Sequence, residues 1–153
     1  AVVTEYLGKH LPKEESRVEL VSNQENFVEL ASSIDFALAK SGTVVVQLAA
    51  LGVPLAVFYK LNSFTSILAK LLLKTQWVSL PNILAGKELI PEFLQENATA
   101  DNLAEQVKNF VKDPSTTREQ IQGMHEVMNI MGAGDPVTPS KKAAEVIESY
   151  LAE

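Results

Sequence analysis

Apolar and polar positions alternate with two different periods along this chain, and the switches between the periods mark out its elements. Val2 to Leu11 is amphipathic and is ended by Pro12, which predicts a helix followed by a linker over Lys13 to Ser16. Arg17-Val18-Glu19-Leu20-Val21 alternates polar with apolar, the period of a half-buried strand. Ser22 and Glu25 stand at capping-box spacing, where each side chain satisfies a backbone donor at a helix start. Phe27, Val28, Leu30 and Ala31 give that helix an apolar stripe.

Ile34 to Ala39 predicts the next strand, and Ser41-Gly42-Thr43 a tight turn into a helix from Val44 to Leu51, with Gly52 just past its end. Val53 to Tyr59 is almost continuously apolar, as befits a central parallel strand covered on both faces by helices. Ser63 caps a helix running through Lys74. Its apolar positions from Phe64 to Leu73 spill beyond one face, so a core helix is the reading and contact with a membrane surface the alternative. Trp77 to Leu80 reads as a fourth strand, broken by Pro81-Asn82.

Beyond this the pattern is helical, with Thr99, Asp113 and Thr138 as caps, Pro114 and Pro139 where a first turn tolerates a missing N–H, and Gly132 to Pro136 as the loop between helices. Strands alternating with helices predict an α/β fold: a Rossmann-like parallel sheet flanked by helices, with a helical C-terminus and ligands at the carboxyl ends of the strands. The chain divides into a helix and linker over 1–16, an α/β core over 17–98 and a helical region over 99–153.

Composition narrows the chemistry. The 153 residues are 46% hydrophobic and 21% charged, enough for one domain with a real core. There is no cysteine, so neither disulfides nor thiolate metal sites are available. Thirteen Lys and Arg against 19 Asp and Glu give a net charge of −6, which argues against a nucleic-acid partner. No apolar run approaches the roughly 20 residues that span a bilayer, and no charged segment with a following apolar run opens the chain, so neither a spanning helix nor a leader is expected. Cytoplasmic residence fits these features. The opening at Ala1, directly into an amphipathic stretch, reads as the start of a cut piece.

Ser41-Gly42-Thr43 is the most informative candidate, because glycine lets a ligand approach the backbone and the following helix directs N–H groups and its positive end outward. A phosphate fits there, although any strand-to-helix turn benefits from the same residues, and neither the dinucleotide-binding glycine fingerprint nor a P-loop is matched. Gln47, one helical turn on, is within reach of a ribose hydroxyl. The Asn82 amide, expected at a strand end, is able to read a base or sugar; a plain turn-forming asparagine accounts for it equally well. Glu88 and Glu92 fall on one face of a possible helix, where a solvated face is a better account than a catalytic carboxylate pair. His10 and His125 lie far apart with no ligand at metal spacing, so no metal and no catalytic triad is assigned.

The chain resembles the lipid-A-disaccharide synthases through Ala39-Lys40-Ser41-Gly42-Thr43, Gly52-Val53-Pro54, Tyr59, Phe64-Thr65 and Leu68-Ala69-Lys70, and most specifically through the continuous stretch from Val78-Ser79-Leu80-Pro81-Asn82 to Gln95. The resemblance runs from Arg17 to about the last helix. It implies the C-terminal lobe of a glycosyltransferase-B enzyme that passes diacylglucosamine from UDP-diacylglucosamine to diacylglucosamine 1-phosphate. No cofactor is implied.

By the same resemblance Ser41, Gly42 and Thr43 face the diphosphate, Gln47 approaches the ribose, and Asn82 with the loop through Glu88 completes the nucleotide pocket. Family members typically carry glutamate where this chain has Gln47, and a neutral amide forgoes a charge-assisted hydrogen bond. The acceptor lobe and the first strands of this lobe, with a glycine-serine-arginine phosphate loop, are expected outside this chain. On strand order 3-2-1-4-5-6 they would stand between Val18–Val21 and Ile34–Ala39. The resemblance further implies action at the cytoplasmic face of the bacterial inner membrane; the helices of this chain are also able to pair with another copy as a homodimer or to make peripheral contact with the membrane surface. The alternatives are a non-catalytic nucleotide-binding or assembly module, or another UDP-sugar transferase of the same fold.

Overall fold

The computed structural model describes residues 21, 26–60 and 76–151. Its elements are α1 (Phe27–Ser32), β1 (Ala37–Lys40), α2 (Thr43–Ala50), β2 (Leu55–Tyr59), α3 (Leu80–Ala85), β3 (Glu92–Leu94), a 3₁₀ turn (Gln95–Asn97), α4 (Ala100–Lys112), α5 (Pro114–Ile130) and α6 (Pro139–Leu151). The predicted Val2–Leu11 helix, the linker, Arg17–Leu20, the Ser22/Glu25 cap and the Ser63–Lys74 helix lie outside the described residues. Val21 is described; it is exposed and in no strand.

The three described strands form one parallel sheet in the order β1-β2-β3, with Ala37 opposite Leu55, Val57 opposite Glu92 and Tyr59 opposite Leu94. This is the expected α/β class, a Rossmann-like sheet with flanking helices and a helical C-terminus. Leu55, Ala56 and Val57 are all fully buried, so both faces of β2 are covered and the central placement read from its unbroken apolar run holds. On β1 only Ala39 is buried, while Leu38 and Lys40 on the other face are exposed.

The core gathers Val45, Leu48 and Ala49 of α2, Leu55 and Val57 of β2, Ile90, and Met124, Val127 and Met128 of α5. Each large member contributes roughly 1.5–3 kcal/mol on burial. On α5, Gln120, Gly123, Met124, Val127 and Met128 are buried at spacings of three and four, the single stripe that a surface helix turns inward. Helix α2 ends as predicted: Gly52 adopts φ +69°, its N–H donates to Ala49 O, and the Val53 N–H reaches back to Leu48 O at 3.0 Å. Thr99 accepts from the Asn102 N–H and Asp113 from the Ser115 N–H, so the predicted caps of α4 and α5 are in place.

Two predicted elements are corrected. Trp77 to Leu80 is not a strand: Leu80 already opens α3, and Ser79 precedes it in extended conformation. The alternation there is that of an extended segment whose backbone donors are taken by a side chain instead of a neighbouring strand. The third strand is instead Glu92–Leu94, so Glu88 and Glu92 do not share a helix face. Pro91 decides this, since a helix through 88–92 would place it in the interior, whereas here its carbonyl accepts the Val57 N–H at 2.9 Å. The second strand also begins later than read, at Ala37, with Ile34 exposed ahead of it.

Candidate functional site

The carboxyl ends of the three strands bring Lys40, Tyr59 and Leu94 to one edge, and the chain leaves β1 there through Ser41 and Gly42 into α2. Ser41 is half-buried and fixed to the sheet by its N–H, which donates to Phe58 O at 3.2 Å. Gly42 is extended and exposed, and a Cβ added to it would meet no atom of the described residues within 4 Å. Among the described residues no side chain caps the start of α2. Of the first-turn N–H groups, that of Val45 turns back to Gly42 O at 3.2 Å; those of Thr43 and Val44, with the positive end of the helix, make an arrangement suited to an anion. Lys40 adds a cation at the same edge, its Nζ 5.6 Å from the centre of the Tyr59 ring. Gln47 is exposed on α2, about 6 Å along the axis from Thr43.

Asn82 is placed differently from expectation. It is fully buried inside α3 and not at a strand end. Its Nδ2 donates to Ile90 O at 2.7 Å and to Glu92 Oε1 at 2.8 Å, and its Oδ1 accepts the N–H groups of Leu89 and Ile90 at 2.9 and 2.8 Å. Two donors and two acceptors are the full capacity of a primary amide, so none remains for a base or sugar. Asn82 shapes the 82–90 loop instead of reading a ligand.

Glu92 opens β3 and does not lie on the expected helix face. Its Oε2 accepts the Val78 N–H at 2.8 Å, and its Oε1 accepts the Ser79 N–H at 2.9 Å and the Ser79 hydroxyl at 2.6 Å, besides the Asn82 amide. The carboxylate thus sits at the start of α3, where negative charge is favoured. Thirteen residues separate Glu92 from Ser79, and no short motif spans that distance. Across the gap to α2, the Ser41 hydroxyl points to Val78 O at 3.5 Å, a long and weak contact for an O–H donor.

Glu88 is exposed and borders two clefts, one of about 610 Å³ with Phe110 and Gln120 and one of about 550 Å³ with Trp77 and Leu94. Neither cleft is lined by Ser41, Gly42, Thr43 or Gln47. The structure therefore places Ser41, Gly42 and Thr43 at the carboxyl edge with Gln47 one helical turn on, uses Asn82 and Glu92 to hold the neighbouring backbone, and sets Glu88 on two clefts, one of which Glu92 and Leu94 also line. Among the described residues no cluster of His, Asp and Glu stands ready for a metal, and no helix is long and apolar enough to cross a membrane.

The family model described as lipid-A-disaccharide synthetase matches residues 3–144. A lipid-A-disaccharide synthase of Rickettsia bellii is 38% identical over 113 residues, covering 74% of this chain and 30% of that protein. The enzyme of that name from Gluconobacter oxydans is 41% identical over 118 residues, 76% of this chain and 28% of its own. That from Vibrio cholerae is 43% identical over 96 residues, 62% of this chain and 25% of its own. The chain spans less than a third of the length of these relatives.

Proposed function

We propose, from the premise that this chain belongs to the lipid-A-disaccharide synthetase family, that it is the nucleotide-sugar-binding lobe of a glycosyltransferase acting in lipid A biosynthesis. The reaction is transfer of diacylglucosamine from UDP-diacylglucosamine to diacylglucosamine 1-phosphate, with release of UDP. The observation that carries this reading is the uncapped start of α2 behind the open Gly42 turn, at the carboxyl end of a parallel strand.

In this lobe Ser41, Gly42 and Thr43 receive the diphosphate and Gln47 the ribose. Inversion at the anomeric carbon develops negative charge on the departing diphosphate, and backbone donors fixed in advance at the start of α2 stabilise that charge without reorganising. The base that activates the acceptor hydroxyl, and the acceptor site itself, belong to the part of the protein that this chain does not span. The lobe supplies binding energy and leaving-group stabilisation, not proton transfer. Since both substrates carry acyl chains, the proposed place of action is the cytoplasmic face of the bacterial inner membrane, with peripheral contact.

Titration with UDP tests the reading. Heat of binding that Gly42→Val abolishes, while its circular dichroism matches the parent, is the expected result, because a Cβ there meets no atom of the described residues yet enters the space assigned to the diphosphate. UDP bound equally by both chains would place the nucleotide elsewhere.

A further inference from the structure

Four donors converge on the Glu92 carboxylate: the Val78 N–H, the Ser79 N–H and hydroxyl, and the Asn82 amide. Three of them meet at Oε1 and one at Oε2, so the carboxylate is held as a clamp on the backbone and side chains of residues 78–82. What it controls is the peptide unit between Val78 and Ser79. That unit is planar, and in it the N–H and the C=O point in opposite directions. Its N–H is held by Glu92 Oε1 at 2.9 Å, and its C=O receives the Ser41 hydroxyl at 3.5 Å. Fixing one end of a rigid plane fixes the other.

We infer that Glu92 is a positioning residue for the diphosphate turn, acting on the Ser41 hydroxyl through the Val78–Ser79 peptide; this rests on the nucleotide-lobe reading above. The Ser41–Val78 bond is long, so the hydroxyl gives it up at little cost and turns to a phosphoryl oxygen. The carbonyl sets where the hydroxyl waits. Turning the peptide plane would withdraw that resting place while leaving β1 and the start of α2 intact, because Ser41 is tied to the sheet separately through Phe58 O.

The test is a double-mutant cycle read by UDP titration of the chain. Glu92→Gln keeps the shape but replaces one acceptor oxygen by a donor that faces N–H groups. It is expected to weaken UDP binding about ten-fold. Ser41→Ala is expected to weaken it to a comparable extent. The pair combined should lose no more than about two-fold beyond the worse single variant, because both remove the same placement. Additive losses would mean that Glu92 acts independently of Ser41, and would overturn the inference. So would UDP binding that Ser41→Ala weakens and Glu92→Gln leaves unchanged. Failure of the unsubstituted chain to bind UDP at all overturns the nucleotide reading and this inference with it. Should Glu92→Gln lose its fold by circular dichroism, Ser79→Ala, which removes one of the four donors, is taken through the same cycle and judged by the same criterion.

Discussion

The carboxamide of Gln120 bridges both backbone groups of Leu55, 65 residues away: its Oε1 accepts the Leu55 N–H at 2.8 Å and its Nε2 donates to Leu55 O at 3.0 Å. Strand β3 starts only at Glu92, opposite Val57, so it is too short to pair with Leu55, and a side chain from α5 takes the place of the missing strand residues. Nε2 also reaches Leu89 O at 3.2 Å, which ties the approach to β3 into the same bridge.

Gln120→Leu therefore strands a buried N–H and leaves two carbonyls short of partners. A loss of about 3 kcal/mol is expected in urea unfolding, against the roughly 0.5 kcal/mol of an ordinary surface change. A loss below about 1 kcal/mol would show that water replaces the amide.

Gly123 and Leu89 pose a contest of opposite signs. A Cβ at Gly123 would stand 2.3 Å from Leu89 Cδ1, with Cγ also close at 3.3 Å, so overpacking of roughly 1–3 kcal/mol sets itself against the roughly 1 kcal/mol that alanine gains over glycine inside a helix. Because both Cγ and Cδ1 are crowded, the clash should win, and Gly123→Ala should destabilise by about 1 kcal/mol. In a Leu89→Ala background the same change should stabilise by a similar amount. Thermal melting of the four chains checks the sign reversal.

Asp113 caps α5, and hydrogen bonds from the Ser115 hydroxyl and then the Ser115 N–H hold its carboxyl below the ordinary value of 3.8, assisted by Thr116 and Arg118. Because the folded value is the lower one, this cap contributes stability in full above 3.8, and the contribution is lost as pH falls through the folded value. The Ser115 amide shift should titrate with a midpoint under 3.8. Asp113→Asn, which still accepts a bond but does not ionise, should flatten that titration while leaving α5 capped.

Gln47 offers the ribose a neutral amide. If it faces the nucleotide as proposed, Gln47→Glu should strengthen UDP binding by about 1 kcal/mol, or about five-fold. Unchanged affinity by calorimetry would remove Gln47 from the site while leaving the Gly42 turn untouched.

The transfer reaction itself gives a further test. With the base and the acceptor site assigned to the rest of the protein, this chain alone should release no UDP from UDP-diacylglucosamine in response to diacylglucosamine 1-phosphate. Acceptor-dependent UDP release by the isolated chain would refute that division of labour.

Local signals were legible where local physics decided the outcome. The unbroken apolar run Val53–Tyr59 has no account other than burial on both faces, and Gly52, Thr99 and Asp113 announce helix ends by bonds that reach only a few residues. The third strand was not legible, because Glu92-Phe93-Leu94 is too short to show a period, and its partner Val57 lies more than thirty residues back. The roles of Asn82 and Glu92 were hidden for a related reason. Their polar groups look available in a sequence, and only the fold shows their partners to be backbone groups brought in from residues 78–79 and 89–90. Ser41, Gly42, Thr43 and Gln47 were legible as a group because a strand, a turn and one helical turn fix their relative places.

Helix α3 has six residues, fewer than an isolated helix needs to persist in water. It is held from both ends, by the Glu92 carboxylate at Val78 and Ser79 and by the Asn82 amide at Leu89 and Ile90. The two clasps are joined through the Asn82 Nδ2 bond to Glu92 Oε1, so residues 78–92 are expected to open as one unit. In native-state hydrogen exchange the amides of Val78, Ser79, Leu89 and Ile90 should open together, as one cooperative unit with a single opening free energy, although up to a dozen residues separate them along the chain.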